Sequence, residues 1–227
     1  KSLSSRTSLV ILNTPNNPTG KILTTEELTR FAKILEKYPN VVVLMDEVYE
    51  YMIYDDFKTL PRMATIPGMW DRTITMMSAG KFFSATGCRI GWGIGPKHLL
   101  KKVNAVYQYN SFCLYDPIQL AIADSLQMAE KPYKGFGNYY QWLRNHYLWS
   151  RNYFVQQLAN CDGFNLNFYI PEGSYFILAS LADREVKETN YRLEGDEKMS
   201  GKYLKDYNYL IEMAHRQKIV GIPCKKI

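Results

Sequence analysis

The chain has 227 residues, 46% hydrophobic and 22% charged, with 28 basic against 22 acidic side chains and a formal charge of +6. That balance fits one large or two small folded domains and excludes a disordered tail, a collagen-like fibre and a polyelectrolyte. Four cysteines, Cys88, Cys113, Cys161 and Cys224, form no C-x-x-C pair, so neither a zinc ribbon nor a disulfide framework is indicated, and reduced thiols in a cytosol-like compartment are expected.

The sequence opens on Lys1 rather than Met and reaches a strand-like run almost at once, so further sequence upstream is expected. The polar, basic start does not read as a signal peptide. No apolar stretch reaches the roughly 20 residues that a membrane helix needs. Ser8-Leu9-Val10-Ile11-Leu12 is continuously apolar, as in a strand buried on both faces of a parallel sheet. The asparagines, prolines and glycine of Asn13-Thr14-Pro15-Asn16-Asn17-Pro18-Thr19-Gly20 make a loop. Thr24 and Glu27 have capping-box spacing, and Leu28, Phe31, Ala32 and Leu35 recur on one helical face. Val41 to Met45 reads as a second buried strand ending on Asp46, which completes a βαβ unit with a parallel sheet under helical cover.

Thr73 to Met77 reads as a third strand, followed by Ser78-Ala79-Gly80-Lys81. Arg89 to Ile94, glycine-rich, is a fourth. One helix is expected from near His98, and another with Asp116 as N-cap and Pro117 at its first position. A long aromatic helix spans about 138–158. Asn165 to Ile170 and Ser174 to Ser180 read as two strands around Pro171-Glu172-Gly173. Ala182 to Lys202, polar and mixed in charge, reads as a loop. Tyr207, Leu210, Ile211 and Ala214 mark a last helix, and Ile219 to Ile222 a short strand. A domain boundary is expected near residue 134.

In an open α/β sheet, ligands bind beyond the carboxyl ends of the strands. The first strand leads there to Asn17, the second to Asp46 and Tyr49, the third to Ser78 and Lys81. A lysine among small residues in a partly desolvated pocket can act as a nucleophile, although most lysines are solvated surface groups. Asp46 reads equally as a cap, a metal ligand or the partner of a cationic ring nitrogen. Tyr49 alone reads as a core-edge tyrosine, one of 18 in the chain. Arg89 has the fork that suits phosphate, and the Ser78 hydroxyl can add a further bond. Gly91, Gly93 and Gly95 do not match a dinucleotide fingerprint, and no Walker pattern occurs. His98, His146 and His215 share no metal-ligand spacing, and no G-x-S-x-G elbow is present. The lysine doublets 101–102 and 225–226 read as solvated surface rather than a nucleic-acid patch.

Read together, these segments form a pattern. The loop from Asn13 to Gly20, Asp46-Glu47-Val48-Tyr49, Ser78-Ala79-Gly80-Lys81 with Arg89, and Ser84-Ala85-Thr86-Gly87 before Arg89-Ile90-Gly91-Trp92 resemble the class I/II pyridoxal-phosphate aminotransferases of fold type I. Pro171-Glu172-Gly173-Ser174-Tyr175-Phe176 matches as well. Within that family the chain looks most like the kynurenine aminotransferase / glutamine transaminase K / cysteine-conjugate β-lyase group. The resemblance implies an α/β fold, with a mostly parallel sheet, helices on both faces and a smaller α+β domain. Residues 1–134 would be the C-terminal half of the large cofactor-binding domain, and 135–227 most of the small C-terminal domain.

The resemblance also implies pyridoxal 5'-phosphate as cofactor and no metal. Lys81 would form the aldimine and move the proton between the substrate Cα and the cofactor. Asp46 would pair with the pyridinium nitrogen, Tyr49 and Asn17 would bond the ring's phenolic oxygen, and Ser78 and Arg89 would bind the phosphate. The reaction would be ping-pong, moving an amino group from an aromatic, kynurenine-, glutamine- or sulfur-type amino acid to a 2-oxo acid. A β-lyase acting on cysteine conjugates and a non-catalytic domain of the same fold are the competing readings. A homodimer is expected, with no nucleic-acid or membrane partner. A cytoplasmic location is expected, or a mitochondrial one if a transit peptide lies upstream. Family members run to about twice this length. They carry an upstream phosphate-binding turn, an aromatic ring stacked on the cofactor and a C-terminal arginine for the substrate carboxylate, so the 227 residues alone are expected to be inactive. Cys88 stands where an aromatic residue is common, a local packing change.

Overall fold

The computed structural model describes residues 3–54, 59–160, 169–180 and 204–222. Four strands form one sheet in the order β1 (Leu9–Asn13), β2 (Val42–Asp46), β3 (Thr73–Ser78) and β4 (Gly91–Ile94). β1, β2 and β3 run parallel, with Asn13 opposite Asp46 and Asp46 opposite Met76. β4 returns antiparallel to β3, with Ser78 opposite Gly91. The reversal needs a close approach. A Cβ on Gly91 would stand 2.8 Å from the Met77 carbonyl oxygen, so only glycine fits there.

The helix α1 (Thr25–Leu35) starts where the capping box places it. The Thr24 hydroxyl accepts from Glu27 N, and the Glu27 carboxylate accepts from Thr24 N. Leu28, Ala32 and Leu35 are buried, packed in one cluster with Val43, Met45 and Met63. Each fully buried Leu or Met of this size stabilises by roughly 1.5–3 kcal/mol. Arg72 closes the far end of α1, donating to the carbonyls of Leu35, Tyr38 and Val41. Val10 and Leu12 of β1 pack on that side, whereas Leu9 is 48% and Ile11 62% exposed. The expected burial of this strand on both faces is therefore met on one face among the described residues. No described element covers the other.

After β3 the chain turns through α2 (Ala79–Phe82) and a short 3-10 turn at Thr86–Cys88. The helices α3 (Lys97–Asn110), α4 (Asp116–Ala129) and α5 (Tyr139–Ala159) follow. A second core cluster joins Tyr49, Met52, Phe82, Ile90, Ile122 and Leu143. The Tyr139 hydroxyl donates to Phe82 O at 2.7 Å, so α5 is tied to the turn that carries Lys81. At α4 the expected N-cap is displaced by one residue. Tyr115 is the cap and Asp116 opens the helix, its carboxylate accepting from Gln119 Nε2 at 3.1 Å. Pro117, which lacks an N–H, still falls inside the first turn.

The chain divides into two compact units, Lys1–Gln157 with Tyr169–Leu178, and Leu158–Phe168 with Ala179–Ile227. The boundary expected near residue 134 falls inside the first of these. In the second, α6 (Leu204–Gln217) covers the expected last helix. Residues 219–222 form no strand; Ile219 N instead donates to Met213 O of α6. The strand expected at 165–170 lies mostly outside the described residues. The one expected at 174–180 does not form, and the backbone at its start pairs elsewhere: Gly173 bridges Ile53, and Ser174 N donates to Met52 O. The loop expected at 182–202 is outside the described residues. Among the described residues no helix is long and apolar enough to cross a membrane.

Candidate functional site

The parallel strands β1, β2 and β3 deliver three loops to their common carboxyl end. Asn13, the last residue of β1, organises the first loop. Its Nδ2 donates to Asp46 O and Pro15 O, and its Oδ1 accepts from Asn17 N at 2.7 Å. Thr14, fully buried, adds a backbone bond to Asp46 O and accepts from Leu23 N through its hydroxyl. Asn17 is thereby held exposed at the strand end.

β2 ends on Asp46, half-buried, whose Oδ1 accepts from Val48 N at 3.4 Å. The next turn buries Tyr49 to 3% exposure. Tyr175 and Phe176 meet its ring edge-on, with centroids 5.2 and 5.9 Å away. Tyr175 and Asn17 both lie close enough to its hydroxyl to act on it. Burial foremost, then Tyr175 and the nearby Asp46 charge, push the Tyr49 phenol well above its ordinary pKa, against the effect of Asn17. The group therefore stays a neutral hydroxyl able to donate.

β3 delivers Ser78 and Lys81. The Lys81 ammonium lies over the Tyr49 ring, 5.7 Å from its centroid. A cation over an aromatic face is attracted by the ring quadrupole, which draws Lys81 toward Tyr49. Gly80 makes this turn possible. A Cβ there would stand 3.0 Å from Thr86 Cα and 3.3 Å from Ser78 Oγ. The Thr86 hydroxyl donates to Gly80 O, closing the turn from the other side. Ala79 N donates to Ile90 O, which brings the Arg89–Ile90 chain alongside. Arg89 is exposed, in a left-handed conformation (φ 57°) after the 3-10 turn.

Of the residues expected from sequence, Lys81 lies over the Tyr49 ring, and Asn17 and Asp46 are near enough to act on the Tyr49 hydroxyl. Ser78 lies at the entry to the lysine turn, and Arg89 comes just before the start of the neighbouring strand β4, whose Gly91 is opposite Ser78. Tyr175 and Phe176 belong to a quoted motif, but sequence gave them no role. Their place at Tyr49 depends on Pro171–Ser174. There, Glu172 N and Gly173 N both donate to Gly20 O, Glu172 O accepts from Tyr54 N, and the Glu172 carboxylate accepts from Ile22 N. The only legible signal was an aromatic pair one residue after a Pro-Glu-Gly turn.

Residues 1–219 match the family described as aminotransferase class I and II. Human kynurenine--oxoglutarate transaminase 3 is 37% identical over 96% of this chain and 45% of its own length. Human kynurenine--oxoglutarate transaminase 1 is 35% identical over 88% of this chain and 46% of its own length. The structure of N-succinyldiaminopimelate aminotransferase from Mycobacterium tuberculosis superposes with a TM-score of 0.78 at 29% identity, covering 99% of this chain and 52% of the other. The chain thus spans about half the length of the curated relatives it matches. The motif order, the α/β sheet and the matched span together identify the chain as a member of the class I and II aminotransferase family.

Proposed function

We propose that this chain supplies the lysine-bearing half of a pyridoxal-phosphate aminotransferase active site. The enzyme moves an amino group from an aromatic amino acid of the kynurenine type, or a glutamine- or sulfur-type donor, to a 2-oxo acid. The observation that carries the reading is the Lys81 ammonium held over Tyr49, with Asp46 at the adjacent strand end. The donor class is supported by the kynurenine--oxoglutarate transaminases among its relatives.

The donor set suits the cofactor. A primary amine, a carboxylate, a neutral phenol and a serine hydroxyl converge on one strand-end region, and Gly80 leaves the lysine turn uncluttered by a Cβ. When bound, pyridoxal phosphate supplies an electron sink for charge developing at the substrate Cα. Lys81 Nζ would provide the covalent attachment point and carry the proton to and from that Cα. The Asp46 carboxylate would pair with the ring nitrogen and keep it protonated. Tyr49 and Asn17 would bind the ring oxygen, Tyr49 as donor. Ser78 and Arg89 would hold the phosphate, Arg89 through its two-donor fork.

The test is spectroscopic, on the intact protein. Adding pyridoxal phosphate is expected to give an absorbance band near the visible edge that borohydride fixes to the polypeptide at Lys81. Lys81→Ala is expected to abolish the fixation and bring transamination down to background. A folded intact protein that binds no pyridoxal phosphate, or a Lys81→Ala variant that still fixes it, would overturn the proposal.

A further inference from the structure

Glu47 and Glu50 flank Tyr49, and neither faces solvent: their side chains are 0% and 5% exposed. One guanidinium serves both. Arg62 Nη1 donates to Glu47 Oε2, and Arg62 Nη2 to Glu50 Oε2. Buried carboxylates persist only where paired, and the planar arginine fork can span two acceptors that a lysine ammonium cannot hold in fixed directions. Arg62 is itself anchored. Its carbonyl accepts from Thr65 N and from the Thr65 hydroxyl, capping a short 3-10 turn at Met63–Thr65 whose Met63 is fully buried in the α1 cluster. On the backbone side, Glu47 N donates to Met76 O, Glu50 N to Glu47 O and Met52 N to Tyr49 O. The turn is therefore gripped on both sides, by β3 through its backbone and by Arg62 through two side chains.

Neither Glu47 nor Glu50 is among the groups assigned to cofactor or substrate. Each is nonetheless covalently next to one that is, Glu47 to Asp46 and Glu50 to Tyr49. We propose that Arg62 is a positioning residue: by bridging Glu47 and Glu50, it fixes the spacing and direction of Asp46 and Tyr49 and so sets how tightly pyridoxal phosphate is held. This rests on the functional reading above, but the clamp has a consequence independent of any ligand: the backbone of 46–54 stays ordered only while the fork is in place.

Both consequences are measurable in the intact protein. In Arg62→Met, hydrogen exchange of a peptide covering 46–54 is expected to speed up at least tenfold, and pyridoxal-phosphate affinity to fall about 10- to 100-fold, as for residues that hold a ligand's contacts from behind. Because that variant leaves two buried carboxylates unpaired at a cost large enough to threaten folding, the decisive comparison is Arg62→Met combined with Glu47→Gln and Glu50→Gln, which removes those buried charges. It is expected to recover thermal stability while keeping the fast exchange at 46–54 and the weakened affinity. Arg62→Lys, with the charge but not the fork, is expected to fall between wild type and Arg62→Met. The proposal is overturned if the neutral triple variant, or Arg62→Lys, restores affinity and exchange to within twofold of wild type. If the unsubstituted protein binds no pyridoxal phosphate, the functional reading falls alone. Exchange at 46–54 then still decides the clamp.

Discussion

Glu47 shows how far a single carboxyl can depart from its ordinary behaviour. Burial raises its pKa most; Arg62 opposes this, while the charges of Glu50 and Asp46 add to it, and the result moves from 4.5 to about 7. Glu50 is raised in the same direction, again chiefly by burial. A carboxyl that keeps its proton up to about pH 7 when folded, but releases it near 4.5 when unfolded, takes up a proton on folding between those values. Its contribution is therefore fully present below 4.5 and is lost as pH rises through 7, by at most about 3 kcal/mol. Denaturant unfolding is expected to show lower stability at pH 8 than at pH 5, and Glu47→Gln to remove most of that slope; a slope unchanged in Glu47→Gln sinks the assignment. The sequence made Asp46, Tyr49 and Lys81 visible because they sit in compact motifs. Arg62 was not visible: it lies 15 residues beyond Glu47, in an irregular stretch with no periodicity to tie the two together.

Elements were legible where their partners are close in sequence. The box at Thr24 and Glu27 and the four-residue apolar spacing of α1 are local signals, and the helix starts where they point. The strand expected at 174–180 failed for the opposite reason. Its apolar, aromatic character is genuine, but pairing is decided by distant groups, and the backbone of 172–174 pairs with Gly20, Met52 and Tyr54 instead. Gly20 is the hinge of that contact. Its φ is +70°, and a Cβ there would stand 2.3 Å from Pro171 Cβ and 2.8 Å from Gly173 O. Gly20→Ala is expected to destabilise by about 2–4 kcal/mol, combining a left-handed alanine with overpacking. Gly68 makes the control. Its φ is +78° with nothing within 4 Å of the Cβ position, so Gly68→Ala is expected to carry only the conformational part, about 1 kcal/mol. Equal losses in the two variants would show that crowding at Pro171 contributes nothing.

For the molecule as a whole, the order of motifs announced the family, and the parallel sheet followed from the βαβ spacing. The two units were less legible, because the first is discontinuous: the chain leaves it at Gln157 and comes back for Tyr169–Leu178. No local pattern encodes such a return. It has a kinetic consequence. Asn13 Nδ2 reaches Asp46 O across 33 residues, but Ile22 N reaches the Glu172 carboxylate across 150. Loop-closure entropy grows only with the logarithm of length, so the longer closure costs about 1 kcal/mol more, a small equilibrium term. Rate responds more strongly, because contacts of high separation are made after local ones. In pulse-labelled refolding, the amides of Glu172 and Gly173 are therefore expected to gain protection after those of β2; simultaneous protection would refute that order. Since Tyr175 and Phe176 reach Tyr49 only through this closure, the sheet can be complete while the surroundings of Tyr49 are still being assembled. The candidate site is finished at the end of folding, not at its nucleus.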